Sequence, residues 1–129
     1  MKLLIVVALI LSILGFSLAF SVGLNGTLYC DGGNLHGHTK VKVELYNSAK
    51  MDLVKSVEAQ PDGSFNLVAD QSDDAFEPLY IFKHKCGRLC RHIYFNNTYI
   101  LSPVRIELFN AGIKQDYKHG ECPHEEYEA

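Results

Sequence analysis

The chain has 129 residues and a formal net charge of −3 at pH 7, with 12 lysines and arginines against 15 aspartates and glutamates. No stretch concentrates the basic residues, so the sequence lacks the positive patch on which nucleic-acid binding depends. The length is that of one domain.

The first 19 residues have the layout of a secretory signal peptide. Lys2 supplies a positive start, residues 3–14 form an apolar run, and Ser17 and Ala19 are the small residues of a cleavage site. A membrane-spanning helix needs about 20 apolar residues, so we expect cleavage after Ala19 rather than an anchor. The mature chain, residues 20–129, is therefore expected to be secreted and to carry no transmembrane anchor.

Short strand patterns follow one another along the mature chain. Val41, Val43 and Leu45 alternate with charged residues, and this period of two predicts a half-buried strand. The same reasoning predicts strands over residues 26–30, 40–46, 53–59, 64–68, 79–85, 91–100 and 104–109. Seven short strands without a convincing helix predict an all-β protein, a seven-stranded antiparallel β-sandwich.

Several motifs are similar to those of the nematode transthyretin-like family: GTLYCDG, VKVELYN, PDGSFNL and YIFKHKC, followed by a late GEC. The match covers residues 24–122, with Asn34 to His38 departing from the usual turn of the family. The resemblance implies a secreted, transthyretin-like (prealbumin-like) sandwich of Greek-key type, and it does not imply hormone transport. We expect the domain to span residues 20–122 and the acidic residues 123–129 to form a disordered tail.

Four cysteines in a secreted chain predict two disulfides. Residues 87–89 suggest a three-residue hairpin loop, across which Cys86 and Cys90 would face each other at a separation that a disulfide allows. We therefore expect Cys86–Cys90, which leaves Cys30–Cys122. Two crossed arrangements remain open: Cys30–Cys86 with Cys90–Cys122, and Cys30–Cys90 with Cys86–Cys122.

Histidines give the sequence an alternative metal-binding interpretation. His84 lies close to Cys86 and Cys90, but oxidised cysteines cannot ligate a metal as thiolates. A surface copper or zinc site could instead combine four loop histidines, which are His36, His38, His119 and His124. Exposed loop histidines without a ligand are the simpler interpretation, and we expect no cofactor.

Enzyme motifs such as Gly-x-Ser-x-Gly, His-Glu-x-x-His and the phosphate-binding loop are absent from the sequence. We therefore expect a non-catalytic extracellular binding or signalling protein whose partner is a cell-surface protein, a lipid headgroup or a small apolar ligand. The alternative is a metal-binding secreted factor or a hydrolase built on the histidines. Tyrosine and arginine often anchor interfaces, and the candidate contacts are Tyr46, Arg88, Tyr94 and Tyr99.

Two sequons, Asn25-Gly26-Thr27 and Asn96-Asn97-Thr98, predict N-linked glycans. Glycosylation requires the secretory pathway, which the signal peptide predicts. We therefore expect glycans on Asn25 and Asn96.

Overall fold

The computed structural model describes residues 20–71, 75–96 and 103–116, together with Cys122 and Tyr127. The predicted signal peptide lies outside these residues. Across the described ranges, no helix is long and apolar enough to cross a membrane. The chain folds into eight strands there: β1 (Phe20–Tyr29), β2 (Lys42–Asn47), β3 (Asp52–Glu58), β4 (Ser64–Gln71), β5 (Pro78–His84), β6 (Arg91–Phe95), β7 (Val104–Glu107) and β8 (Ile113–Lys114).

The strands form a three-stranded sheet in the order β4-β1-β7 and a five-stranded sheet in the order β3-β2-β5-β6-β8. Strands β1 and β7 run parallel, whereas the other paired strands are antiparallel. The purely antiparallel prediction is therefore wrong at this pair, because side-chain alternation is the same in both kinds of pairing. Strand β8 was not predicted, since two residues are too few to show a period.

The two sheets pack face to face on one core, as in a β-sandwich. Leu24 and Leu28 of the three-stranded sheet belong to the same buried cluster as Phe82 of the five-stranded sheet. The ring of Phe82 meets Phe65 and Phe95 edge to face, at 5.5 Å between centroids in both cases. Burying each such side chain contributes about 1.5–3 kcal/mol to folding, so this cluster holds the sheets together.

A tight turn that requires glycine precedes β4. Gly63 has a φ of 91°, and its N–H donates a 2.8 Å hydrogen bond to the main-chain oxygen of Gln60. The oxygen of Gly63 accepts a hydrogen bond from the Leu28 N–H, also at 2.8 Å. A Cβ atom at position 63 would collide with the main-chain oxygen of Leu28, so both the φ angle and the close approach require glycine.

The disulfides correct the predicted pairing. Cys30 is bonded to Cys86, and Cys90 is bonded to Cys122. The prediction of Cys86–Cys90 with Cys30–Cys122 is therefore wrong, and the first of the two crossed alternatives is observed.

The register of the β5–β6 hairpin explains this pairing. His84 lies opposite Arg91, so Cys86 and Cys90 are one position away from facing each other. Neighbouring positions on a strand point to opposite faces. Cys86 accordingly joins the core, where Cys30 at the end of β1 lies with its Cα 5.7 Å away, whereas Cys90 is buried outside the core cluster.

Loss of the Cys30–Cys86 bond, which joins the two sheets, should destabilise the protein. Cys30→Ala/Cys86→Ala removes a cross-link over 56 residues, and we expect the free energy of unfolding to fall by about 4 kcal/mol, measured by urea denaturation. Peptide mapping under non-reducing conditions should recover the Cys30–Cys86 pair. A peptide that links Cys86 to Cys90 would contradict the observed register.

Candidate functional site

The outward side of the five-stranded sheet gathers charged and aromatic side chains, and we call it the outer face. Along β2, β5 and β6 the outward side chains alternate with core residues. The outer face consists of Lys42, Glu44, Tyr46, Ile81, Lys83, His92 and Tyr94. Glu44 lies beside Ile81, and Ile81 lies beside Tyr94, so the three form a row across the sheet. Two of the four predicted contacts, Tyr46 and Tyr94, therefore share one face.

Glu44 is the centre of an ion-pair cluster on the outer face. Its side chain is only 4% exposed, and its Oε1 lies 2.8 Å from the Nζ of Lys83. Its Oε2 lies 4.0 Å from the Nζ of Lys42, and the Tyr46 hydroxyl donates a 3.3 Å hydrogen bond to Oε1. A carboxylate withdrawn from water needs such partners. Burial, followed by the negative charge of Glu44, raises the pKa of Tyr46, so its hydroxyl stays a donor at neutral pH.

His92 connects the aromatic residues of the outer face. Its Nδ1 lies 3.3 Å from the hydroxyl of Tyr94, and its Nε2 lies 3.0 Å from the hydroxyl of Tyr127. The His92 and Tyr94 rings meet at an angle of 62°. Contacts on both ring nitrogens fix the orientation of the imidazole, and through it the position of the Tyr94 hydroxyl.

Tyr127 is the one residue of the predicted tail, residues 123–129, that the structure describes, and it is fully buried. The rest of that segment lies outside the described residues, so its disorder stays a prediction. The main-chain oxygen of Tyr127 accepts hydrogen bonds from the Lys40 N–H at 2.8 Å and the Thr39 hydroxyl at 3.3 Å. Together with Cys122, which is bonded at the start of β6, Tyr127 attaches the C-terminal segment to the five-stranded sheet.

The other two predicted contacts do not join the outer face. Arg88 lies in the turn after β5, where it lines a separate pocket with Asp31 and His38. Its side chain is exposed, and its φ is 79°. Tyr99 lies outside the described residues.

His84, which the sequence placed near the disulfide, is a buried structural residue. Its Nδ1 accepts a 3.0 Å hydrogen bond from the Cys86 N–H, and its Nε2 lies 2.8 Å from the main-chain oxygen of Ala111. A main-chain N–H can only donate, so the proton of the neutral ring is on Nε2. Burial lowers the pKa of His84, and the positive charge of Arg91 lowers it further, against the opposing effect of the Ala111 hydrogen bond.

The histidine-based metal site stays a prediction. All four cysteines are in disulfides, which removes the thiolates next to His84. Among the residues that the structure describes, no group of three or more histidines, cysteines and acids could hold a metal ion. His36 and His38 are exposed there, whereas His119 and His124 lie outside the described part of the chain.

Both sequon asparagines are exposed. Asn25 is within β1, opposite Asn66 of β4, because this strand begins earlier than predicted. Its side chain is on the outward side of the three-stranded sheet, since the neighbouring Leu24 faces the core. Asn96 directly follows β6. Glycosylation at either position stays a prediction.

Compared with known proteins, the sequence matches no family model and no curated protein. The transthyretin-like assignment stays a prediction based on the motifs described above. Function has to be inferred from the geometry of the outer face and of the loops.

Glu44 and His92 of the outer face, and Tyr127 beside it, were not identified as functional from the sequence. The alternation assigned Glu44 to the outward side correctly. Only the β2–β5 register brings Lys83 next to Glu44, whose side chain is buried there. His92 and Tyr127 had no local signal. The contact between them joins residues 35 positions apart, which the period of a strand does not encode.

Acid should destabilise the protein through His84. The ordinary pKa of histidine is 6.5, and burial lowers it in the folded state, so below pH 6.5 the unfolded chain binds a proton that the folded chain excludes. The stability that neutral His84 provides is therefore complete above this pH. It is lost as the pH falls through the folded pKa, by at most about 1.4 kcal/mol per pH unit.

Urea unfolding between about pH 5 and about pH 7.5 measures this dependence. In His84→Gln the decline of the unfolding free energy toward low pH should be shallower than in the unaltered protein. Equal slopes in both proteins would show that other groups cause the acid sensitivity.

The Glu44–Lys83 pair should contribute more to stability than the Glu44–Lys42 pair. Lys83→Met leaves a buried carboxylate without its closest cation, and we expect a loss of about 2–3 kcal/mol. Lys42→Met, the matched control, removes a lysine that is 39% exposed, and we expect a loss below about 1 kcal/mol. A double-mutant cycle with Glu44→Gln, measured by urea unfolding, isolates each pair, and coupling energies of equal size would refute the difference.

Proposed function

We propose that this protein is a secreted, non-catalytic binding protein of the transthyretin-like type, and that its outer face recognises a protein on the cell surface. The observation that carries the proposal is the convergence of Tyr46, His92 and Tyr94 on one face, beside the ion pair of the buried Glu44 with the partly exposed Lys83. Tyrosine offers a large apolar ring and a polar hydroxyl with few rotatable bonds, which makes it a frequent anchor in protein interfaces.

The outer face is prepared for binding without large rearrangement. Tyr94 is 44% exposed, yet its hydroxyl contacts His92. The Tyr46 hydroxyl is held by Glu44. Binding costs less when the contact residues are already ordered, so these hydrogen bonds support recognition by a rigid sheet surface.

The position of Asn25 supports the choice of face. It lies on β1, the middle strand of the three-stranded sheet, with its side chain on the outward side. A glycan is bulky and solubilising, so a glycan on Asn25 would cover that sheet and leave the outer face accessible to a partner.

Two disulfides in a domain of this size are compatible with an extracellular protein. They also fix the sheet that carries the tyrosines, since Cys30–Cys86 joins it to the opposite sheet and Cys90–Cys122 fastens the C-terminal segment to β6. A rigid scaffold of this kind suits a receptor-binding surface outside the cell.

Saturation binding of the fluorescently labelled, oxidised protein to animal cells tests the proposal. Tyr94→Ala should weaken binding by at least about tenfold, because it removes an interface anchor. Val68→Ala is the matched control, since Val68 is also 44% exposed but belongs to the three-stranded sheet. We expect its binding to equal that of the unaltered protein.

Protease treatment of the cells distinguishes the partner classes. Loss of binding after treatment is expected for a protein partner. Binding that survives treatment would point to a lipid headgroup and contradict a protein receptor. Equal binding by Tyr94→Ala and Val68→Ala would place the contact outside the outer face.

A further inference from the structure

A pocket of 360 Å³ lies where three loops meet at the Cys30–Cys86 end of the sandwich. The loop between β1 and β2 contributes Asp31 and His38, and the turn after β5 contributes Lys85 and Arg88. Phe109, just after β7, completes one side and is 47% exposed. None of these residues belongs to the outer face, so the pocket is a separate candidate site.

The walls of this pocket are fixed by hydrogen bonds between the loops. The Lys85 N–H donates to the Thr39 hydroxyl at 2.8 Å, and the Asn110 N–H donates to the main-chain oxygen of Cys86 at 3.2 Å. Gly87 has a φ of 97°, and a Cβ atom there would collide with the side chain of Asn110. The pocket therefore exists before any ligand binds.

Glu107 joins two of the loops as well. Its Oε1 accepts the Gly32 N–H at 2.6 Å, and its Oε2 accepts the Phe109 N–H at 3.3 Å. One carboxylate thus holds the loop after β1 next to the loop after β7. The Glu107 carboxylate therefore fixes the main chain at Phe109, the aromatic residue on one side of the pocket.

Arg88 has a conformation that folding alone does not favour. Its φ of 79° lies in the left-handed region, which is costly for a residue with a long side chain. Two other residues at this end with positive φ, Asp31 and Asn110, are of types that tolerate this region. Strained residues that persist are concentrated at functional sites. The turn alone would favour glycine at this position, so the presence of arginine points to a role for its side chain.

The charges of the pocket identify what it would bind. Among the residues that line the pocket, Lys85 and Arg88 carry positive charges and Asp31 carries a carboxylate. The nearby Glu107 carboxylate accepts the Gly32 and Phe109 N–H groups. A guanidinium group matches the geometry of a carboxylate or phosphate through paired hydrogen bonds. Phe109 provides an apolar surface beside these charges.

We infer that this pocket binds an oxyanion, a phosphate or carboxylate group attached to an apolar body, with Arg88 as the principal anchor and Phe109 against the apolar part. The oxyanion can belong to a small soluble molecule or to a lipid headgroup. The inference goes beyond the proposed function, because it concerns a different surface and a different ligand chemistry.

Titration of the folded, oxidised protein with phenyl phosphate, followed by NMR chemical shifts, tests this assignment. Saturable shifts should appear at Asp31, His38 and Arg88, whereas benzyl alcohol, which is neutral, should produce none. Arg88→Gln should weaken binding by about tenfold or more, since it removes charged hydrogen bonds. Arg105→Gln, at an exposed arginine of β7, is the matched control and should leave binding unchanged.

A second variant separates ligand binding from folding. Arg88→Gly should relieve the backbone strain and raise Tm by about 4 °C or more, while abolishing phenyl phosphate binding. Unchanged binding in Arg88→Gly, or an equal loss of binding in Arg105→Gln, would overturn the assignment.

Vesicles identify the source of the oxyanion. Arg88-dependent binding to phosphatidic acid vesicles, but not to phosphatidylcholine vesicles, would assign the site to a lipid headgroup. Binding to phenyl phosphate alone would assign it to a soluble ligand. Failure of both probes would overturn the inference, and the cell-binding result for Tyr94→Ala would stand independently of it.

Discussion

The one-position offset between Cys86 and Cys90 determines much of this structure. In the β5–β6 hairpin it turns Cys86 into the core and Cys90 to the opposite side of the sheet. Cys86 then joins the two sheets through Cys30, and Cys90 fastens the C-terminal segment through Cys122. A hairpin in which the two cysteines faced each other would form a local bond and leave both long-range connections unmade.

The two candidate surfaces depend on these connections in different ways. On the outer face, the segment attached through Cys122 places Tyr127 against His92, which in turn contacts Tyr94. At the other site, the bond to Cys30 brings the turn that carries Arg88 next to the loop that carries His38. Each disulfide therefore positions one of the two surfaces.

The period of two was sufficient to predict most strands but not their partners. Residues 79–85 were predicted as a strand, and β5 spans Pro78–His84, because the alternation is local to the segment. Three other features depend on residues far apart in sequence: the parallel β1–β7 pair, the Cys30–Cys86 bond and the contact of Tyr127 with Thr39. Such choices depend on packing and register, which a single strand pattern does not contain.

The same limit applies to the candidate contacts. Tyr46 and Tyr94 were selected by residue type, and their common face follows only from the order β2-β5-β6.

Glu44 and Arg88 oppose the stability of this domain, and each lies on one of the candidate surfaces. Glu44 is a carboxylate withdrawn from water on a sheet face that an apolar residue could occupy, and Arg88 holds a backbone angle that suits glycine. A domain of about 100 residues has little stability to lose, and the two disulfides offset part of the loss. Core positions such as Leu28 and Phe82 follow the demands of packing. Glu44 and Arg88 do not, and their chemistry is what distinguishes these surfaces from an ordinary sheet face and an ordinary turn.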